Sequence, residues 1–166
     1  MTNKEINLSE QTARRWLHER GVSIQDIAEL VLYLQKAYHD QLTIEECTHN
    51  VERVLSKREV QNAILTGIQL DLLAEKKLLE APLQSIIETD EGLYGVDEIL
   101  AFSIVNVYGS IGFTNYGYID KKKPGILAKL NDKSFESNRI YAKGSANNIN
   151  FSLVFIITLF SLQYLD

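Results

Sequence analysis

The sequence is poor in the residues that disulfide-linked and nucleophilic proteins depend on. Its single cysteine, Cys47, allows no intrachain disulfide, and no signal peptide is evident, so we expect a reducing cytoplasm. A lone cysteine in a helical pattern is typical of a half-buried helix residue rather than a nucleophile. There is no G-x-S-x-G elbow, Walker-type phosphate loop, Rossmann glycine pattern or C-x-x-C. Serine or cysteine catalysis therefore finds no support.

Basic charge and metal-binding histidine patterns are also scarce. The 166 residues include 17 basic and 22 acidic ones, and this net charge of -5 argues against a nucleic-acid partner. His18, His39 and His49 lack metal-ligand spacing and lie in polar surroundings, which predicts that all three are exposed. Only two prolines occur, Pro82 and Pro124, and alternating β-branched runs are few before the tail. This composition favours an all-α fold.

Apolar residues repeat at helical spacing along most of the chain. Two capping boxes, Ser23 with Asp26 and Thr43 with Glu46, predict helix starts, and the segment 57–59 is either a polar helix end or a junction. The predicted helices are one from Ser9 to Gly21, one from Ser23 to about Tyr38, one from Thr43 to Leu55, one carrying the apolar stripe from Val60 to Leu73, one from Pro82 through Ile87, and one from about Gly125 to Leu130.

The apolar run from Ile99 to Tyr108 predicts a helix that is hydrophobic on most sides. Such a helix belongs at the centre of a multi-helix bundle, so we expect a central helix over about residues 96–108 with the others around it. We assign residues 1–132 to one helical domain and residues 133–166 to a divergent tail. The tail is a loop rich in Ser, Asn and Lys followed by an apolar stretch, which is a core element, a marginal membrane segment or a poorly packed end.

An acidic stretch lies directly before that apolar run. Asp90, Asp97 and Glu98 fall here, together with Glu91 and two glycines. Carboxylates at the start of a core segment suit a hard cation such as Mg²⁺, but they also suit a helix start, where they complement the helix dipole. Asp90 and Asp97 share one helix face if the glycines do not interrupt the helix. Both interpretations stay open on these residues alone.

A second block, Asp120-x-x-Lys123-Pro124, follows in a separate element. If folding brings it to the acidic stretch, then Asp90, Asp97, Glu98 and Asp120 would hold Mg²⁺ while Lys123 offsets phosphate charge. The alternative for the run from Lys121 to Lys123 is a solvated turn.

These two blocks resemble the phosphatidylglycerophosphatase A family, in particular its soluble Gram-positive branch known as low-temperature requirement C. The likeness covers about residues 10 to 133, including the segment 51–63. It implies an all-α bundle and Mg²⁺-dependent hydrolysis of phosphatidylglycerophosphate to phosphatidylglycerol and phosphate. The resemblance also implies metal ligands at Asp90, Asp97, Glu98 and Asp120, with acid or base roles for the last three. Lys123 would bind the substrate phosphate, and the protein would act at the inner face of the membrane as a peripheral protein.

The sequence departs from the family pattern in three places. An early Gly-Thr-x-Gly-Ser block of the membrane-bound members is missing, and Gly117 stands where they have arginine. The paired aspartates that open the last helix of the family are absent after Asp132. This loss suggests a shifted reading frame or a rearranged gene end, and it would impair the activity.

Two other functions remain compatible with the residues. One is a non-catalytic helical module that oligomerises or binds a partner, in which the acidic blocks are helix caps and ion pairs; the apolar segments leave room for a helical dimer. The other is a Mg²⁺-dependent nucleotide pyrophosphate hydrolase, since such enzymes also hold the ion between acidic helices.

Overall fold

The structure is a computed structural model that describes residues 8–89, 99–100, 102–103, 118 and 121–131. Within these ranges the secondary structure is helical and contains no strand, which confirms the predicted all-α class. The helices are α1 (Leu8–Glu19), α2 (Ile24–Gln35), α3 (Ile44–Leu55), α4 (Arg58–Glu75), α5 (Leu83–Glu88) and α6 (Ile126–Asn131).

Both predicted capping boxes are present and set the starts of α2 and α3. The Ser23 hydroxyl accepts a hydrogen bond from the Asp26 amide, and the Asp26 carboxylate accepts one from the Ser23 amide. Thr43 and Glu46 repeat this reciprocal pair at the start of α3. Each box satisfies donors that a helix N-terminus otherwise leaves open. Gly21, with φ of 78°, lies in the turn after α1, as expected for a residue that ends a helix.

One boundary differs from the sequence prediction, because α2 ends at Gln35 rather than near Tyr38. The amide of Tyr38 donates to the carbonyl of Gln35 at 2.8 Å, which is a tighter three-residue turn than the α-helical pattern. Such tightening satisfies carbonyls at a helix end, so the chain leaves α2 about one turn earlier than the apolar spacing indicates.

The segment 57–59 is a junction between two helices rather than the end of one. Lys57 caps α4 in an extended conformation, and α4 starts at the next residue. The buried Gln61 side chain reaches back across this junction, and its Nε2 donates to the carbonyl of Leu55 at 2.9 Å. That bond satisfies a C-terminal carbonyl of α3 and fixes the angle at which α4 follows it.

The core forms where α2 packs against α3 and α1 packs against α4, while α6 lies on α2 and α5 on α4. Its fully buried large side chains are Ile27, Leu55, Ile64, Ile68, Leu127 and Gln61. Arg20 after α1 and Glu75 at the end of α4 form an ion pair at 2.5 Å, with side chains only 13% and 7% exposed. These contacts fix the helices that lead into the two predicted functional blocks.

The predicted central helix falls mostly outside the described residues. Ile99, Leu100, Phe102 and Ser103 are helical, and Leu100 and Phe102 pack against the core while Ile99 is 56% exposed. The central position of residues 96–108 therefore stays a prediction. The tail, residues 133–166, also lies outside the described part of the chain, so the domain boundary at 132 stays a prediction as well. Among the described residues, no helix has the length and apolar character needed to cross a membrane.

Candidate functional site

Four of the five predicted site residues lie outside the described residues. Asp90, Asp97, Glu98 and Asp120 fall there, whereas Lys123 is described. The structure nevertheless describes the chain on the approach to the first block and on both sides of Lys123. These flanking contacts show what anchors each block to the bundle.

The first block is reached through α5, and one glutamine fixes that helix to α4. The side-chain Nε2 of Gln84 donates to the carbonyl of Ala74 at 2.9 Å, and its Oε1 accepts from the amide of Leu79 at 3.0 Å. Ile87 is buried on the same short helix. Because α5 ends two residues before Asp90, these contacts fix the point from which the acidic stretch departs.

The second block is followed at once by α6, which is anchored on α2. Ile126 and Leu127 are buried, and Leu127 has no exposed surface. Gly125 has φ of 57°, and a Cβ placed there would lie 3.4 Å from Cδ2 of Leu30. The backbone just after Pro124 therefore lies in close contact with α2.

The chain before the second block also touches α2. The side chain of Tyr118 hydrogen-bonds the side chain of Tyr33, and this bond is the main reason that the pKa of Tyr33 is raised above its usual value. Tyr33 lies three residues after Leu30, about one turn along the helix. Residues 118 to 125 are therefore held at both ends against neighbouring turns of α2.

Lys123 differs from the two lysines that precede it. Lys121 and Lys122 are exposed, whereas Lys123 is half-buried and has a positive φ of 45°. A positive φ is uncommon for a residue with a side chain, and the residue before a proline is normally restricted to extended conformations. Strained backbone of this kind concentrates at functional positions, where the surrounding structure maintains it. The contrast favours a specific role for Lys123, which stays a prediction, over a uniformly solvated turn.

The described residues alone do not supply a metal centre. No group of three or more His, Cys, Asp or Glu side chains suited to a metal occurs among them. The predicted donor set consists of carboxylates, and hard oxygen donors of this type fit Mg²⁺ rather than a thiolate-seeking or imidazole-seeking metal. On donor chemistry the predicted ligands fit the ion.

The structure supports the exclusion of thiol chemistry. Cys47 is completely buried in α3, more so than the half-buried position predicted, and burial raises its pKa from 9.0 to about 11. A thiol with such a pKa is protonated at neutral pH and makes a poor nucleophile. His18, His39 and His49 are exposed, as predicted.

Two features were missed by the sequence analysis. Asp71 is fully buried on α4, although a carboxylate is costly to bury without compensating interactions. Its position three residues after Ile68 and seven after Ile64 could have placed it on the buried face. The bond between Tyr33 and Tyr118 had no signal, because it joins residues 85 positions apart.

The sequence matches the family model described as "Phosphatidylglycerophosphatase A" over residues 16–140. A protein named "Uncharacterized protein YutG" from Bacillus subtilis (strain 168) is 70% identical over 132 residues, which cover 80% of each chain.

Two solved structures share the fold at high sequence identity. A protein of unknown function from Bacillus stearothermophilus superposes with a TM-score of 0.81 at 67% identity, covering 92% of this chain and 94% of its own. The low temperature requirement C protein from Listeria monocytogenes superposes with a TM-score of 0.78 at 61% identity, covering 93% and 95%.

The matched range contains both sequence blocks and five of the six described helices in full, α2 to α6, together with the end of α1. It spans three quarters of the chain. Together with the likeness to the Listeria structure, this match identifies the family predicted from the acidic blocks. The chain belongs to the phosphatidylglycerophosphatase A family.

Proposed function

We propose that this protein is a Mg²⁺-dependent phosphatase that hydrolyses phosphatidylglycerophosphate to phosphatidylglycerol and phosphate. The observation that carries the proposal is the family match over residues 16–140, because that range includes the acidic stretch and the Lys123 block. The described geometry adds that the second block is held against α2 on both sides.

In this proposal Asp90, Asp97, Glu98 and Asp120 hold the metal ion. Bound Mg²⁺ would act as a Lewis acid on the phosphoryl oxygens and neutralise the charge that develops on them. The carboxylates present the hard oxygen ligands that this ion prefers.

The protein's own groups would then manage the protons of the reaction. A carboxylate among Asp97, Glu98 and Asp120 takes a proton from the attacking water, whose oxygen forms a new bond to phosphorus. The bond between phosphorus and the glycerol oxygen breaks, and that oxygen receives a proton to become the hydroxyl of phosphatidylglycerol. The products are this neutral alcohol group and inorganic phosphate.

Lys123 provides positive charge for the substrate phosphate. Its backbone is fixed by the proline that follows and by the contacts at Tyr118 and Gly125, so little reorganisation is needed when the substrate binds. Preorganised charge is more effective than a flexible surface lysine, because no free energy is spent on orienting it during the reaction.

The first test measures phosphate release from phosphatidylglycerophosphate in detergent micelles, with Mg²⁺ and with excess EDTA. We expect turnover only with the metal, and its loss in Asp97→Asn and Asp120→Asn variants that retain the wild-type circular dichroism spectrum. Metal-independent release, or none from a folded protein, would contradict the proposal. A nucleotide pyrophosphate offered in parallel tests the alternative hydrolase, which predicts preference for that substrate.

The second test addresses Lys123 with a matched control on α6. We expect Lys123→Ala to lower kcat/KM by roughly 100-fold or more, a typical loss when a charge-stabilising donor is removed. Lys129 is an exposed lysine six residues further along, and Lys129→Ala should leave kcat/KM unchanged. Equal activities of the two variants would assign Lys123 to the solvated surface.

A further inference from the structure

Two tyrosines form an aromatic pair on the surface beside the Lys123 turn. Tyr33 is 51% exposed and Tyr118 is 48% exposed, although their side chains are hydrogen-bonded to each other. Each residue therefore presents a large half-exposed ring to the surroundings. Tyrosine has an apolar ring and a polar tip, a combination that favours the boundary between lipid and water.

Exposed lysines adjoin this pair. Lys36 lies one turn after Tyr33 on the exposed stripe of α2, and Lys121 and Lys122 follow Tyr118 by three and four residues. Gly125, which contacts α2 one turn before Tyr33, limits how far these lysines can lie from the helix. We call Tyr33, Lys36, Tyr118, Lys121 and Lys122 together the tyrosine–lysine face.

The charge of this face is opposite to that of the whole protein. The chain carries a net charge of -5, whereas the face has three lysines. The neighbouring carboxylate on the exposed stripe of α2 is Glu29, one turn before Tyr33, and its Oε1 accepts a hydrogen bond from Gln25 at 3.3 Å. The face is therefore locally basic on an acidic protein, which selects for an anionic partner.

We propose that the tyrosine–lysine face docks on an anionic lipid bilayer. Clustered lysines are attracted to the negative surface potential of anionic lipids, and the tyrosine rings would enter the headgroup region. Lys123 belongs to the same turn, so docking places the proposed site next to the headgroups. The inference deepens the proposed function by naming the surface through which this enzyme reaches a lipid substrate.

The test measures binding without turnover, by co-sedimentation of the full chain with phospholipid vesicles. One vesicle is pure phosphatidylcholine, and the other contains one-third phosphatidylserine, which is neither substrate nor product. We expect binding to the anionic vesicle that weakens as salt is added, because ionic strength screens exposed charges. Lys121→Glu with Lys122→Glu should lower the partition coefficient at least about 30-fold, since each lysine near an anionic surface contributes roughly a factor of five.

Lys76 and Lys77 provide a matched control. They are also adjacent and exposed, and Leu78 beside them is 64% exposed, but they lie after α4 rather than at the tyrosine–lysine face. Lys76→Glu with Lys77→Glu makes the same change in net charge and should retain vesicle binding. Equal losses in the two double variants would show that net charge, and not this face, drives binding, and would overturn the proposal.

The tyrosine rings are tested by a separate pair of double variants. Tyr33→Phe with Tyr118→Phe keeps both rings and should still bind, whereas Tyr33→Ser with Tyr118→Ser should bind several-fold more weakly. The four double variants are compared only after their thermal melts show a folded protein. A wild-type protein that turns over micellar substrate but ignores anionic vesicles refutes docking and leaves the proposed function intact. One that binds the vesicles through this face without turnover supports docking and refutes the proposed function.

Discussion

Replacing Gly125 with alanine should destabilise the protein because of the backbone conformation rather than because of crowding. Gly125 has φ of 57°, which costs a residue with a Cβ roughly 1–2 kcal/mol. The new Cβ would lie 3.4 Å from Cδ2 of Leu30, close to ordinary carbon–carbon contact, so the steric term is small. For a chain of this size we expect a fall in Tm of roughly 2–8 °C.

Thermal and urea unfolding of three variants measure this effect. Gly125→Ala should lose the full amount, whereas Gly125→Asn should lose less, because asparagine tolerates a positive φ better than alanine. In the proposed enzyme the same alanine should also lower kcat/KM, since Gly125 lies two residues after Lys123.

A double-mutant cycle with Leu30→Val separates the two causes. If backbone conformation dominates, the cost of Gly125→Ala is the same in both backgrounds, and the coupling energy stays within about 0.5 kcal/mol. If shortening Leu30 restores most of the lost stability, crowding against α2 is the cause and the conformational reasoning is refuted.

Three further predictions concern the bundle itself. Glu75→Gln should cost about 3 kcal/mol in urea unfolding, because it leaves Arg20 buried without its ion-pair partner, and Arg20→Met with Glu75→Leu should recover most of that loss. The raised pKa of Cys47 stabilises the fold fully below about pH 9, and this contribution is lost as pH rises through about 11; Cys47→Val should lack this part of the pH dependence of the unfolding free energy. Thr43→Ala should lower stability by about 1 kcal/mol through loss of the capping box, and a change below 0.3 kcal/mol would show that the box contributes little.

The helix starts were predictable because their determinants are local. Ser23 with Asp26, and Thr43 with Glu46, form their caps within three residues, so no distant contact can override the signal. The end of α2 was predicted about one turn too late, because apolar spacing continues past Gln35 while the backbone has already tightened into turns. Periodicity thus predicts the existence of a helix better than its end.

The contacts around the candidate site were not predictable in the same way. Tyr118 could be placed near Lys123 from the sequence, but its bond to Tyr33 depends on how residue 118 folds back onto α2. The positive φ of Lys123 also runs against the local rule, since a residue before proline favours extended backbone. Local propensity fails here because tertiary contacts on both sides of the turn outweigh it.

These contacts also explain how a short helix can position a functional turn. α6 has only six residues, too few to be stable alone in water, so its position depends on packing. Leu127 supplies that packing by complete burial, Gly125 allows the backbone to approach Leu30, and Tyr118 makes a second contact one turn further along α2. Because α2 is itself capped and packed on α3, the turn that carries Lys123 is referenced to the most firmly defined part of the bundle. A lysine held in this way can keep an unfavourable backbone conformation that an isolated surface turn would relax.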